Sequence, residues 1–127
     1  MALPSQMRFR DRARVREVIY RGRRFETPLG RVSLLAKPAG RVRILFVVST
    51  RVSKQSVRRH TIQRQLNAWA EQNSERFLAT DIVVLVHPNL ARAGRAELWE
   101  KAGVMLRVIV DNTGQRVSSK TVENKKA

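Results

Sequence analysis

The chain has 127 residues, 43% of them hydrophobic, which suits one domain with a single modest core. It contains no cysteine, which excludes disulfide scaffolds, thiolate metal sites and cysteine nucleophiles, and no run near the roughly 18–20 apolar residues of a membrane span. Twenty-six Lys and Arg against ten Asp and Glu leave a net charge of +16, a self-repelling surplus that favours a polyanionic partner.

Residues 1–8 read as a loose arm, Arg-rich but without the apolar stretch of a secretory signal. The arginines run on into an expected helix rather than a transit peptide, so the cytoplasm is the expected compartment. From Asp11 to Arg21, Val15, Val18 and Ile19 recur at helical spacing, and Gly22 ends the helix. The period then changes to two. Val32, Leu34 and Ala36 alternate with their neighbours, Pro38-Ala39-Gly40 makes a turn, and Val42, Ile44, Phe46 and Val48 alternate again. This predicts an antiparallel hairpin whose second strand, apolar on both faces, is central.

A second helix is expected over Ser53–Gln72, with Ile62, Leu66 and Trp69 buried. His60, Gln63, Arg64 and Asn67 form a polar stripe on its opposite side. Asp81–His87 reads as a buried strand closed by Pro88-Asn89. A last helix covers Arg95–Val110, with Leu98, Trp99, Ala102, Met105, Leu106 and Ile109 turned inward. The division is a single domain over residues 1–111 and a polar, disordered tail over 112–127. These elements predict an α+β fold, one sheet with helices on one side.

The charge is unevenly spread. Between Thr27 and Ala70 there is no acidic residue against nine basic ones, and Arg outnumbers Lys twenty to six. A guanidinium pairs bidentately with phosphate and stacks on bases, so this bias points to nucleic acid. Catalytic machinery of the chain's own is not evident. His60 and His87 stand far apart without ligand-spaced carboxylates, the acids are scattered, and the glycines read as punctuation. Trp69 and Trp99 fall on apolar stripes and are expected in the core.

The informative stretch is Val48-Ser49-Thr50-Arg51-Val52-Ser53-Lys54-Gln55-Ser56-Val57-Arg58-Arg59-His60-Thr61-Ile62-Gln63-Arg64-Gln65-Leu66-Asn67, a strand running through a basic loop into a helix. Loop amides and the helix N-terminus can meet phosphate while Lys54, Arg58, Arg59 and Arg64 add charge. This chemistry suits a structural RNA-binding protein of ribosome or particle assembly, or a DNA-binding helical module, for which no recognition-helix pair is evident.

The stretch resembles, without a gap, the signature of the bacterial ribonuclease P protein family, which runs roughly Val-Ser-Lys-Lys-Val-x-Lys-x-Ala-Val-x-Arg-Asn-Arg-Ile-Lys-Arg-x-Leu-Arg. Val48, Ser49, Val52, Lys54, Val57, Arg59, Ile62, Arg64 and Leu66 match, and Arg51 replaces a lysine. Thr50, Ser56, His60, Thr61, Gln63 and Asn67 depart from it. Arg8–Gly22 is similar to the family's opening helix, with Val15 and Ile19 at its aromatic positions, and Asp81–Pro88 to a strand ending in Arg-Pro, with His87 at the Arg.

The resemblance implies a small two-layer sandwich of order α-β-β-β-α-β-α with a left-handed βαβ crossover, as in the second domain of ribosomal protein S5. It implies a subunit that binds a catalytic RNA and the 5′ leader of precursor tRNA, one copy per RNA, with no membrane role. The RNA carries the hydrolysis and holds the Mg²⁺; no metal or catalytic residue is expected on the protein. Ser49, Arg51, Lys54, Arg58, Arg59, His60, Gln63, Arg64 and Asn67 are the implied RNA contacts, and Val15, Ile19 and His87 the implied leader cleft.

Overall fold

The computed structural model describes residues 11–36, 42–77 and 80–113. The expected N-terminal arm, the Pro38-Ala39-Gly40 turn and the tail from residue 114 on lie outside them. The elements run α1 (Arg12–Arg21), β1 (Arg23–Glu26), β2 (Gly30–Ala36), β3 (Arg43–Val47), α2 (Ser56–Gln72), β4 (Thr80–Val86) and α3 (Arg95–Thr113), with single 3-10 turns at Ser74–Arg76 and Pro88–Leu90. That is the α-β-β-β-α-β-α order.

Local chemistry sets the helix ends. The Asp11 carboxylate accepts the N–H groups of Ala13 and Arg14 at 3.0 and 3.2 Å and caps α1. At the other end a Cβ on Gly22 would stand 2.5 Å from the carbonyl oxygens of both Val18 and Leu34. Only glycine lets the end of α1 rest so closely on β2. α2 starts at Ser56 rather than Ser53, because the Ser49 carbonyl accepts from Val52 and Ser53 and winds residues 49–53 into a turn ahead of the helix. α3 continues to Thr113, three residues past its expected end.

The sheet order is β1-β2-β4-β3. β2 is antiparallel to β1 and β4, whereas β3 is parallel to β4. The expected hairpin between β2 and β3 therefore does not form, since β4 lies between them. The hairpin that does form joins β1 to β2 through Thr27–Gly30, where the Thr27 hydroxyl donates to the Gly30 carbonyl at 2.8 Å. β4 is the central strand, buried along most of its length, and β3 is an edge. β3 reads as central in sequence because it is apolar on both faces, with Ile44 and Phe46 buried and Leu45 and Val47 half-buried on the other side, not because both of its edges are paired.

Each face has its own cover. α2 and α3 lay Ile62, Leu66, Leu98 and Met105 over Ile44, Phe46, Ile82 and Val84. α1 lies on the opposite face, where Val18 meets Val83 with Val15, Ile19, Leu35 and Leu45 around them. The helices thus do not share one side of the sheet, as their amphipathic patterns alone suggest. Periodicity shows that a helix has a buried stripe but not which face of the sheet receives it.

α1 is tied to the sheet by charge as well as packing. Asp81, at the start of β4, is fully buried. Arg14 Nε of α1 donates to its Oδ2 at 2.7 Å, and Arg43 of β3 donates from Nε to Oδ1 at 2.8 Å and from Nη2 to Oδ2 at 2.7 Å. Arg14 also reaches Glu17 at 3.0 Å and the Ala36 carbonyl at 3.4 Å. The hydrogen bonds to Asp81 raise both guanidinium pKa values above their ordinary level, with Glu17 adding to Arg14. Removing one partner of a buried ion pair costs about 3–5 kcal/mol, because the other charge is left uncompensated. Asp81→Asn should therefore lose about 3 kcal/mol in urea unfolding, the low end because both arginines are partly exposed. A loss below about 0.5 kcal/mol, the scale of an ordinary surface change, would contradict this assignment.

Candidate nucleic-acid interface

The face of the sheet that α1 leaves uncovered opens into a cavity of about 430 Å³. Its floor is apolar, from Val47 and Leu85, and its rim carries Arg31, Ser49, Arg51 and His87 with Glu26. Glu26 is held by Arg31 at 2.7 Å, and Arg51, also on the rim, stands exposed. Val47 and Leu85 also belong to the cluster under α1. The three expected cleft residues therefore share one face but occupy different stations. Val15 and Ile19 are half-buried against the Val18–Val83 cluster, and His87 lines the open cavity. An apolar floor joins them.

Ser49 and Arg51 lie where this cavity meets the loop before α2. The Ser49 hydroxyl accepts the Arg51 N–H at 3.2 Å, and buried Val52 anchors the turn. Past it, Lys54, His60 and Arg64 are exposed, and Asn67 is half-buried. No side chain caps the first turn of α2, whose cap position is Gln55. Its leading amides, together with Arg51 and Lys54, form a surface fit for phosphate.

Three expected contacts have internal work instead. Arg58 donates from Nε to the Ala91 carbonyl and from Nη2 to the Ala93 carbonyl, both at 2.6 Å, which clamps α2 to the loop after β4. Arg59 Nη1 donates to the Ser53 carbonyl at 3.0 Å and closes the turn below it. Gln63 Nε2 donates to the Phe46 carbonyl at 2.9 Å on the edge strand β3. The polar stripe of α2 is thus divided: Gln63 faces the sheet edge while His60 and Arg64 face outward. Sequence spacing distinguishes polar from apolar positions but not which polar groups meet a backbone acceptor.

Other residues of the site are not visible in the sequence pattern. Glu26 and Arg31 reach the cavity because β1 pairs with β2, and Arg-Arg-Phe-Glu offers too little alternation to announce a strand. Trp99 packs against the edge of the core and is half-buried, its indole N–H donating to the Gln65 carbonyl at 2.9 Å. Trp69, by contrast, is in the core, edge-to-face with Phe77.

A family model described as Ribonuclease P matches residues 3–110. No curated protein sequence matches the chain. Among solved structures, a Staphylococcus aureus RNase P protein mutant with defective mRNA degradation activity superposes with a TM-score of 0.76 at 16% identity, covering 82% of this chain and 88% of that one. The Staphylococcus aureus RNase P protein at 2.0 angstrom gives 0.75 at 16% identity, covering 80% and 94%. The RNase P protein from Thermotoga maritima gives 0.70 at 21% identity, covering 80% and 96%. At such identities the likeness establishes the fold, α+β with a four-stranded sheet and three helices.

The division between internal and outward arginines has a direct consequence. Hydrogen bonds made by a charged group contribute about 1.5–3 kcal/mol. Arg58→Ala should cost about 2 kcal/mol of stability, while Lys54→Ala should stay within about 0.5 kcal/mol. Equal losses for the two in thermal or urea unfolding would contradict the placement of Arg58.

Proposed function

Because the chain belongs to the ribonuclease P protein family, we propose that it holds the catalytic RNA with the loop and outer face of α2 and the 5′ leader of precursor tRNA in the adjoining cleft. Membership makes it the protein subunit of an endoribonuclease whose partner is ribonuclease P RNA. The observation that carries the finer reading is the continuity of the surface. Ser49 and Arg51 belong at once to the cavity rim and to the loop that leads to Lys54, His60 and Arg64. One RNA complex can therefore occupy both.

In this reading the cations position and do not cut. Arg51, Lys54 and Arg64 neutralise phosphates and release counterions, while His60 and Asn67 donate to phosphate or sugar. The cleft offers the leader an apolar floor from Val47 and Leu85 and polar groups along its rim. Val15 and Ile19, half-buried in the cluster beside that floor, bring no aromatic plane for a base.

The described residues do not fit a protein-held metal. None of their His, Asp and Glu side chains gather into a group of three, and the buried carboxylate, Asp81, has both oxygens engaged by arginine. In this proposal the Mg²⁺ and the hydrolysis belong to the RNA, with one protein per RNA in the cytoplasm. No helix among the described residues is long and apolar enough to cross a membrane.

The test is the salt dependence of binding to a bacterial ribonuclease P RNA. Arg51→Ala and Lys54→Ala should each reduce the slope of log affinity against log salt by roughly one unit, and by the same amount for RNAs of different sequence. Slopes unchanged by both substitutions would place the RNA elsewhere on the protein.

A further inference from the structure

A second cavity, of about 440 Å³, lies between α2 and α3 on the layer of the molecule opposite the cleft. This is within the range of small-ligand sites, about 300–1,000 Å³. Arg64, Gln65 and Gln72 of α2 and Arg95 and Trp99 of α3 line it, and no carboxylate among the described residues does. The Trp99 indole is fixed by its bond to the Gln65 carbonyl. The guanidinium of exposed Arg95 lies over that indole, 5.1 Å from the ring centroid. The Gln65 side-chain oxygen is buried and has no hydrogen-bond partner among the described residues.

We propose that this groove is a second RNA site, taking an unpaired nucleotide whose base stacks on the Arg95 guanidinium, with Trp99 behind it. The proposal rests on the reading that the protein binds RNA, and it adds α3 to the surface that does so. A guanidinium is planar and stacks on aromatic planes. Indole, guanidinium and base form a three-layer stack, with the indole on one side of Arg95 and the base on the other. The neighbouring Arg64 is placed to meet the nucleotide's phosphate. The exposed plane of Arg95 over Trp99 favours a flat base over an acidic side chain, although both would answer the positive charge.

The test uses the full chain carrying Trp69→Phe, which leaves Trp99 as its single tryptophan. A fluorescently labelled single-stranded oligoadenylate reports binding by anisotropy, while Trp99 emission reports the groove. The site predicts quenching of Trp99 in step with binding. It also predicts that Arg95→Lys, which keeps the charge but not the plane, weakens binding about ten-fold with the melting curve unchanged. If the Trp69→Phe protein does not fold, the difference in emission between the parent protein and Trp99→Phe reads the same signal.

Trp99 emission that stays constant while anisotropy shows the oligonucleotide bound would overturn this site and leave the RNA reading standing. Equal affinity of Arg95→Lys and the parent would do the same. A Trp99 response to polyglutamate as large as that to oligoadenylate would replace the nucleotide with an acidic partner. Failure of the parent protein to bind the oligonucleotide at all would overturn both readings together.

Discussion

Asp81 is the one charged side chain buried among the described residues, and two arginines from different elements converge on it. Arg43 comes from the edge strand and Arg14 from the first helix, so a single carboxylate joins β3, β4 and α1. A buried charge is tolerated only when its lone pairs are filled, and here the oxygens receive three N–H donors at 2.7–2.8 Å. The constraint reaches the proposed function through α1. That helix covers one end of the open sheet face with the modest cluster around Val18 and Val83, and where it stops decides how much of the face remains open as a cleft. Gly22 sets the other limit, by letting the helix end contact β2.

Part of this chain's positive charge is engaged by its own acceptors. The arginines divide accordingly. Arg14 and Arg43 neutralise Asp81, Arg58 and Arg59 satisfy backbone carbonyls around the start of α2, and Arg51, Lys54 and Arg64 remain outward. The inner set gives rigidity to the segment that carries the outer set. Positioning by the inner arginines and contact by the outer ones are therefore separable by experiment, the first in stability and the second in salt dependence.

Much of this was legible in the sequence, and the misses have physical causes. The stripes of α1, α2 and α3 and the apolar run of β4 are strong periodic signals, and all four elements are present. β1 was not legible, because Arg-Arg-Phe-Glu has one apolar residue and gains its place only by pairing with β2. The supposed β2–β3 hairpin failed because alternation marks strands but not partners; the parallel pairing of Ile44 with Ile82 spans the whole of α2. The Asp81 network was hidden for the same reason, since Arg43 and Asp81 meet through that register. Of the candidate interface, the basic segment holding the exposed Arg51, Lys54, His60 and Arg64 is visible in the sequence, whereas the inward turn of Arg58 and Gln63 depends on carbonyls contributed by other elements. The resemblance to the ribonuclease P protein signature supplied the three-strand order before α2 that periodicity alone did not.

The role proposed for this basic fold is to assist an RNA enzyme by holding it together with its substrate. Its most direct test is the Mg²⁺ dependence of precursor-tRNA cleavage by a bacterial ribonuclease P RNA, with and without the protein. Added cations and leader contacts replace part of the charge screening that free Mg²⁺ otherwise provides. The account predicts that the protein shifts the Mg²⁺ requirement to lower concentration, and does so more for substrates with a long leader than for those nearly lacking one. An unchanged Mg²⁺ requirement, with the protein demonstrably bound to the RNA, would contradict it.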